Sequence, residues 1–167
     1  MKIKAIVFDW GDTVMRDLPF KGAMKDWPFV AIIPDVKDVI LKLRNDYLII
    51  MASNAGDSTS QDIITALDRV GLKGLFHHVF SSKDLGVEKP NVRFFELIKE
   101  QLEIKPEELV MIGNNCQKDI IGAKKAAWNT IWFNENEAQS TECQEADMSL
   151  FFMGALEELI KKIDNDE

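Results

Sequence analysis

The chain has 167 residues, 46% of them hydrophobic and 29% charged, the balance of one soluble globular domain long enough to bury its own core. Lys and Arg number 20 and Asp and Glu 28, a net charge of −8, which argues against nucleic acid or an anionic membrane as the main partner. No run long enough for a membrane span or a signal segment is present, and two cysteines, Cys116 and Cys143, are too few for a disulfide framework, so a reducing cytoplasm is the expected setting.

Short apolar runs alternate with amphipathic segments along the whole chain. The first run, residues 3–8, reads as a buried strand and stops at Asp9. Pro34 suits the first position of a helix over 34–46, where Val36, Val39, Ile40 and Leu43 share a face. A second strand, 47–52, runs into Ser53 and Asn54. The next helix begins near Ser60, carries Ile63, Ile64, Leu67 and Val70, and stops at Gly71. After a weak strand at 79–81, Lys89 and Pro90 open a helix with Phe94, Phe95, Ile98 and Leu102 on its inner face. Strand 109–112 leads into Gly113, Asn114 and Asn115, then a helix over 117–127 with Ile120, Ala123 and Ala127 inside. A fifth strand, 130–133, precedes a last helix with Leu156, Leu159, Ile160 and Ile163; the acidic tail DNDE is expected to fray.

Five strand–helix alternations with nearly continuous apolar strands predict a parallel sheet covered by helices on both faces. Such sheets bind ligands beyond the carboxyl ends of their strands. There the sequence places Asp9, then Ser53 with Asn54, then Lys89, then Asn114 with Asp119 five positions later. Taken singly, each is ordinary turn, cap or surface chemistry. Together they suit attack on a phosphoryl group: a carboxylate nucleophile, a hydroxyl, amide and ammonium to hold phosphate oxygens, and hard oxygen ligands for magnesium.

In their order and spacing these segments resemble the four motifs of the haloacid dehalogenase superfamily, whose members are mostly magnesium-dependent phosphatases. Asp9 and Thr13 match the first motif, Ser53 the second, Lys89 and Pro90 the third, and Gly113, Asn114 and Asp119 the fourth. The resemblance spans residues 3 to about 133 and implies a Rossmann-like, three-layer α/β sandwich with a five-stranded parallel sheet. By that resemblance Asp9 is the catalytic nucleophile that becomes an aspartyl-phosphate. Magnesium sits on Asp9, the carbonyl of Gly11 and Asn114. Ser53, the amide of Asn54 and Lys89 hold the phosphate, and Asp119 braces the metal's surroundings.

Two positions depart from the family pattern. Where its phosphatases carry the acid that protonates the leaving group, this chain has Gly11, with Asp12 one place later as a candidate acid or base. Asn114 stands where the family has Asp, which removes one negative charge and predicts weaker magnesium binding. Without the acid, activated phosphates are the expected substrates. A catalytically weak phosphate-binding or protein-interaction member is the alternative, and a carbon–halogen or carbon–phosphorus hydrolase a third.

The gaps between motifs hold no inserted domain, so the chain reads as a single capless domain, 1–167, with residues 14–33 as a short flap. Capless members of the family tend to act on larger substrates or to oligomerise. The expected partner is therefore a phosphorylated small molecule or an exposed group on a macromolecule, with a homo-oligomer through the flap as a further arrangement. In the flap, Phe20, Trp27 and Phe29 either face the substrate or pack back on the core. His77 and His78 point to opposite sides of an extended segment and suit loop or core roles. Cys116 is expected to be a bystander and Cys143 to be exposed.

Overall fold

The computed structural model describes residues 2–165. Its centre is a sheet of six strands in the order β3-β2-β1-β4-β5-β6, all parallel where paired. The strands are β1 (Ala5–Phe8), β2 (Leu48–Ser53), β3 (His78–Ser81), β4 (Leu109–Gly113), β5 (Asn129–Phe133) and β6 (Met148–Leu150). The five expected strands form; the sixth was missed. β6 is three residues at the edge with an exposed middle Ser149, too short to leave an apolar run.

Alternation along β1 sends Ile6 and Phe8 to one face and Ala5 and Val7 to the other, and each pair enters a separate apolar cluster. The Ile6 side packs against α1 (Val36–Leu43), α2 (Ser60–Asp68) and α6 (Leu156–Asn165). The Val7 side packs against α4 (Val92–Leu102) and α5 (Gly122–Lys125), with Phe95 set edge-on to Trp128. A four-residue helix, α3 (Ser82–Leu85), follows β3. No described helix is long and apolar enough to cross a membrane.

Local chemistry sets the element ends. α2 begins where expected, with a reciprocal capping box between Thr59 and Asp62, and Gly71 beyond it has φ +72°. Pro34 is not the first residue of α1; Asp35 intervenes in a left-handed conformation and the helix starts at Val36. The helix expected at 117–127 is mostly a π-helical turn, Cys116–Ile121, before the short α5. The tail expected to fray is held at its first residue. Asp164 accepts hydrogen bonds from the backbone of Lys2 and Ile3 and from the Tyr47 hydroxyl; Asp166 and Glu167 lie outside the described residues.

Cysteine usage corrects a second expectation. Cys143 is buried, not exposed, and is bonded to Cys116 across a sequence separation of 27. The pair lies against Ile120 and Trp132. Two cysteines thus suffice for one staple between the loop after β4 and the connection from β5 to β6.

Candidate active site

Strand order reverses between β1 and β4, so their carboxyl ends leave a crevice between loops that diverge to either side. A cavity of about 420 Å³ opens there, and Asp9, Gly11, Asp12, Ser53, Asn54, Lys89, Asn114 and Asp119 all line it. Every site residue expected from the sequence therefore shares one cavity.

Its floor is an ion-paired network. Lys89 is buried, and its Nζ donates to Asp9 Oδ1 at 2.8 Å, Asp119 Oδ1 at 2.7 Å and the Ala52 carbonyl at 2.9 Å. An ammonium so enclosed is tolerable only because two carboxylates face it. Burial pulls its pKa down, but the charges of Asp119 and Asp9 prevail and hold it above the ordinary lysine value. Asp119 shows the converse: burial first, and the Asp9 charge next, raise its carboxyl to about 6 against the pull of Lys89.

The backbone is fitted to this network. A Cβ on Gly113 would collide with the Asp119 side chain, so only glycine lets β4 end against that carboxylate. Asn54 clamps the lysine: its side chain donates to the Lys89 carbonyl and accepts from the Lys89 N–H, both at 2.8 Å. That leaves the Asn54 backbone, not its side chain, for a ligand. The Ser53 hydroxyl oxygen accepts from the Ala55 N–H at 3.0 Å, so its own proton remains available to donate.

The oxygen donors for a cation also converge. The buried Thr13 hydroxyl lies 3.4 Å from Asp9 Oδ2 and 3.5 Å from Asn114 Oδ1. A carboxylate oxygen and an amide oxygen meeting around one hydroxyl, with the Gly11 backbone on the same wall, are a hard-oxygen set that fits magnesium. The Asn114 carbonyl is held by the Trp132 indole N–H and the Gln139 amide, both at 3.0 Å. Sequence reasoning missed these two supports, since nothing local marks a residue 18 or 25 positions away as a partner.

The opposite wall comes from residues 14–33. It is tied down by Arg69, whose guanidinium donates to the carbonyls of Met24, Lys25 and Trp27. Trp27 and Met24 are buried in the core, and Trp27 lines the cavity together with Phe20; Phe29 is exposed and lies outside the cavity. Asp12, at φ +55°, turns its carboxylate to the Asp17 N–H at 3.0 Å. Asp17, which the sequence did not single out, lines the cavity beside Gly11; burial first, and then the charges of Asp12 and Asp9, raise its carboxyl above the usual range. His77 accepts from the Ile49 N–H through Nδ1 and His78 stacks near Phe80, both outside the cavity.

A family model of haloacid dehalogenase-like hydrolases matches residues 20–127. The chain belongs to that family. Asp9 and Thr13 lie ahead of the matched span, so their reading rests on the residues and geometry above. The chain is 34% identical over 114 residues to a glyceraldehyde 3-phosphate phosphatase of Methanopyrus kandleri, covering 68% of this chain and 48% of that protein. The chain spans about half the length of curated relatives it matches, 48% to 57% of each. Among solved structures, an uncharacterized protein from Listeria monocytogenes superposes with a TM-score of 0.86 at 22% identity, over 97% of this chain and 99% of that one. The HAD-hydrolase YfnB of Bacillus subtilis, solved bound to magnesium, superposes with a TM-score of 0.76 at 17% identity, over 98% of this chain and 100% of that one. At these identities the structural matches speak for the fold.

Proposed function

We propose that this chain is a magnesium-dependent phosphohydrolase that works through an aspartyl-phosphate on Asp9. The observation that carries the reading is Lys89 Nζ, buried and bonded at once to Asp9 and Asp119 on the cavity floor. Lys89 occupies one Asp9 oxygen, Oδ1, and leaves Oδ2 for the attack on phosphorus. Ser53 and the Asn54 amide would donate to phosphoryl oxygens, with Lys89 neutralising the charge that Asp9 and the phosphoryl group share. Magnesium held by Asp9, the Gly11 carbonyl and Asn114, with Asp119 bracing the loop, would supply further charge neutralisation at the phosphoryl oxygens.

Gly11 carries no side-chain acid, so aryl esters, acyl phosphates and anhydrides are favoured over alkyl esters such as sugar phosphates. The glyceraldehyde 3-phosphate phosphatase relative is named for an alkyl phosphate, which supports a small phosphorylated metabolite as the substrate class and weighs against an absolute preference for activated esters. Residues 14–33 contribute a flap rather than an inserted domain, and the exposed Phe29 beside Phe20 supports that flap as the edge where a larger substrate or a second copy would rest. We keep the cytoplasm as the proposed compartment, where the Cys116–Cys143 bond would be open to reduction.

The test is a panel of aryl and alkyl phosphates with and without magnesium, run on the parent and on Asp9→Asn. Magnesium-dependent turnover that falls at least about 10³-fold in the variant, at an unchanged melting temperature, is expected for loss of a covalent nucleophile. Activity within a few-fold of the parent would overturn the assignment. Phosphate binding without turnover would instead favour a catalytically weak binding member, the reading that Gly11 and Asn114 support.

A further inference from the structure

The cavity contains more carboxylates than the proposed reaction uses, and their partners sort them. Asp9 and Asp119 are paired to Lys89 on the floor. Asp12 spends its carboxylate on the Asp17 N–H, and Asp57 accepts from the Ser58 hydroxyl. Asp17 is left: its side chain accepts no hydrogen bond from the described residues, and it lines the cavity from the flap side.

Its position is specific. A Cβ placed on Gly11 would lie 3.5 Å from Asp17 Cβ, 3.7 Å from its Cγ and 3.9 Å from Oδ2. The Asp17 carboxyl therefore stands directly over the space that a side chain at position 11 would enter, and glycine leaves that space open. The neighbouring backbone holds it there through the Asp12–Asp17 bond and through Arg16, paired with Glu135 of the β5–β6 connection.

In-line displacement fixes which wall the leaving group faces. With Asp9 attacking from the floor, the departing oxygen points away from it, toward the mouth. On the flap side, opposite the floor, residues 14–33 line the cavity with Asp17, Phe20, Gly22, Met24 and Trp27. Asp17 is the one carboxyl among these.

We propose that Asp17 is a catalytic residue that protonates the leaving oxygen across the gap left by Gly11, which rests on the Asp9 phosphohydrolase reading. In the first half-reaction an Asp9 oxygen bonds to phosphorus. The phosphorus–oxygen bond to the leaving group breaks, and its electron pair takes the proton from Asp17. In the second, water attacks the phosphorus of the aspartyl-phosphate and gives its proton to the Asp17 carboxylate. The bond to Asp9 breaks, so both residues return to their starting forms with alcohol and inorganic phosphate released. Because Asp17 sits on an exposed flap, it serves less well than an acid rooted at residue 11 would, and the preference for activated phosphates is graded rather than absolute.

The experiment measures kcat/KM for aryl phosphates of increasing phenol pKa and for one alkyl phosphate, in the parent, Asp17→Asn, Asp12→Asn and Gly11→Asp/Asp17→Asn. A general acid contributes about 10²- to 10⁴-fold where the leaving group is poor. Asp17→Asn should therefore lose about 10²-fold on the alkyl ester and less than about tenfold on the most activated aryl ester, steepening the leaving-group dependence. Adding Gly11→Asp to that variant should restore alkyl-ester turnover, since a Cβ at 11 meets Asp17 only at ordinary contact distance. An unchanged slope in Asp17→Asn, whether rates fall in parallel or stay the same, overturns the proposal, as does a steeper slope appearing in Asp12→Asn instead. A parent whose turnover survives Asp9→Asn overturns the underlying reading, a result distinct from either.

Discussion

The floor and the flap side of the cavity are built differently. On the floor, Asp9 and Ser53 sit at strand ends, Lys89 just ahead of α4 and Asp119 in the π-helical turn after β4, and Ser53, Lys89 and Asp119 are buried, with Lys89 paired to both carboxylates. On the flap side, Asp12 and Asp17 belong to an irregular loop held by a few hydrogen bonds and the Arg69 anchor. A rigid, dehydrated floor suits a phosphoryl group whose geometry is the same in every substrate. A looser, wetter wall suits leaving groups that differ.

The largest effect that would break this contrast is on the floor. Lys89→Met leaves the Asp9 and Asp119 carboxylates facing each other without a cation. Loss of one partner from a buried ion pair of this kind destabilises by about 3–5 kcal/mol. Denaturant unfolding should show that loss, and a change under about 1 kcal/mol would mean that the floor is not the pre-paid electrostatic unit described.

Next in size is the staple behind Asn114. Cys116→Ser, or reduction of the Cys116–Cys143 bond, should lower stability by about 2–4 kcal/mol, the range for a loop of this length. Melting with and without reductant measures it; coincident curves would show that the bond does not form in solution.

A smaller shift is expected from Asn114→Asp. A charged oxygen replaces a neutral one beside Asp9, and magnesium affinity should rise on the order of tenfold. Calorimetric titration decides it, and an equal or weaker affinity would remove position 114 from the metal site.

The smallest effect sharpens the flap side. Arg69→Ala removes donors to three flap carbonyls and should cost about 1 kcal/mol while speeding proteolysis within residues 14–33. Protection unchanged from the parent would show that the flap is held by Trp27 packing alone.

The same contrast explains what the sequence made legible. Strands and helices reveal themselves by periodicity, so five strands, the residues at their ends, Asp9, Ser53 and Asn114, and Lys89 ahead of the Phe94 helix could be read directly. The sixth strand escaped because three residues with a polar centre carry no period. The Cys116–Cys143 pairing, the Trp132 and Gln139 support of Asn114 and the approach of Asp17 to Gly11 depend on how loops cross in space, and spacing along the chain does not encode that. Asp12 drew attention for its sequence adjacency to Gly11, whereas the structure turns it to the backbone of Asp17.

The central claim is that Asp9 is phosphorylated during turnover. Acid-quenching the parent while it hydrolyses a phosphate-labelled aryl or acyl phosphate with magnesium, then mapping the label by mass spectrometry, tests it most directly. The account predicts label on the peptide bearing Asp9 and none in Asp9→Asn. Label on another residue of the cavity, Ser53 above all, would contradict it.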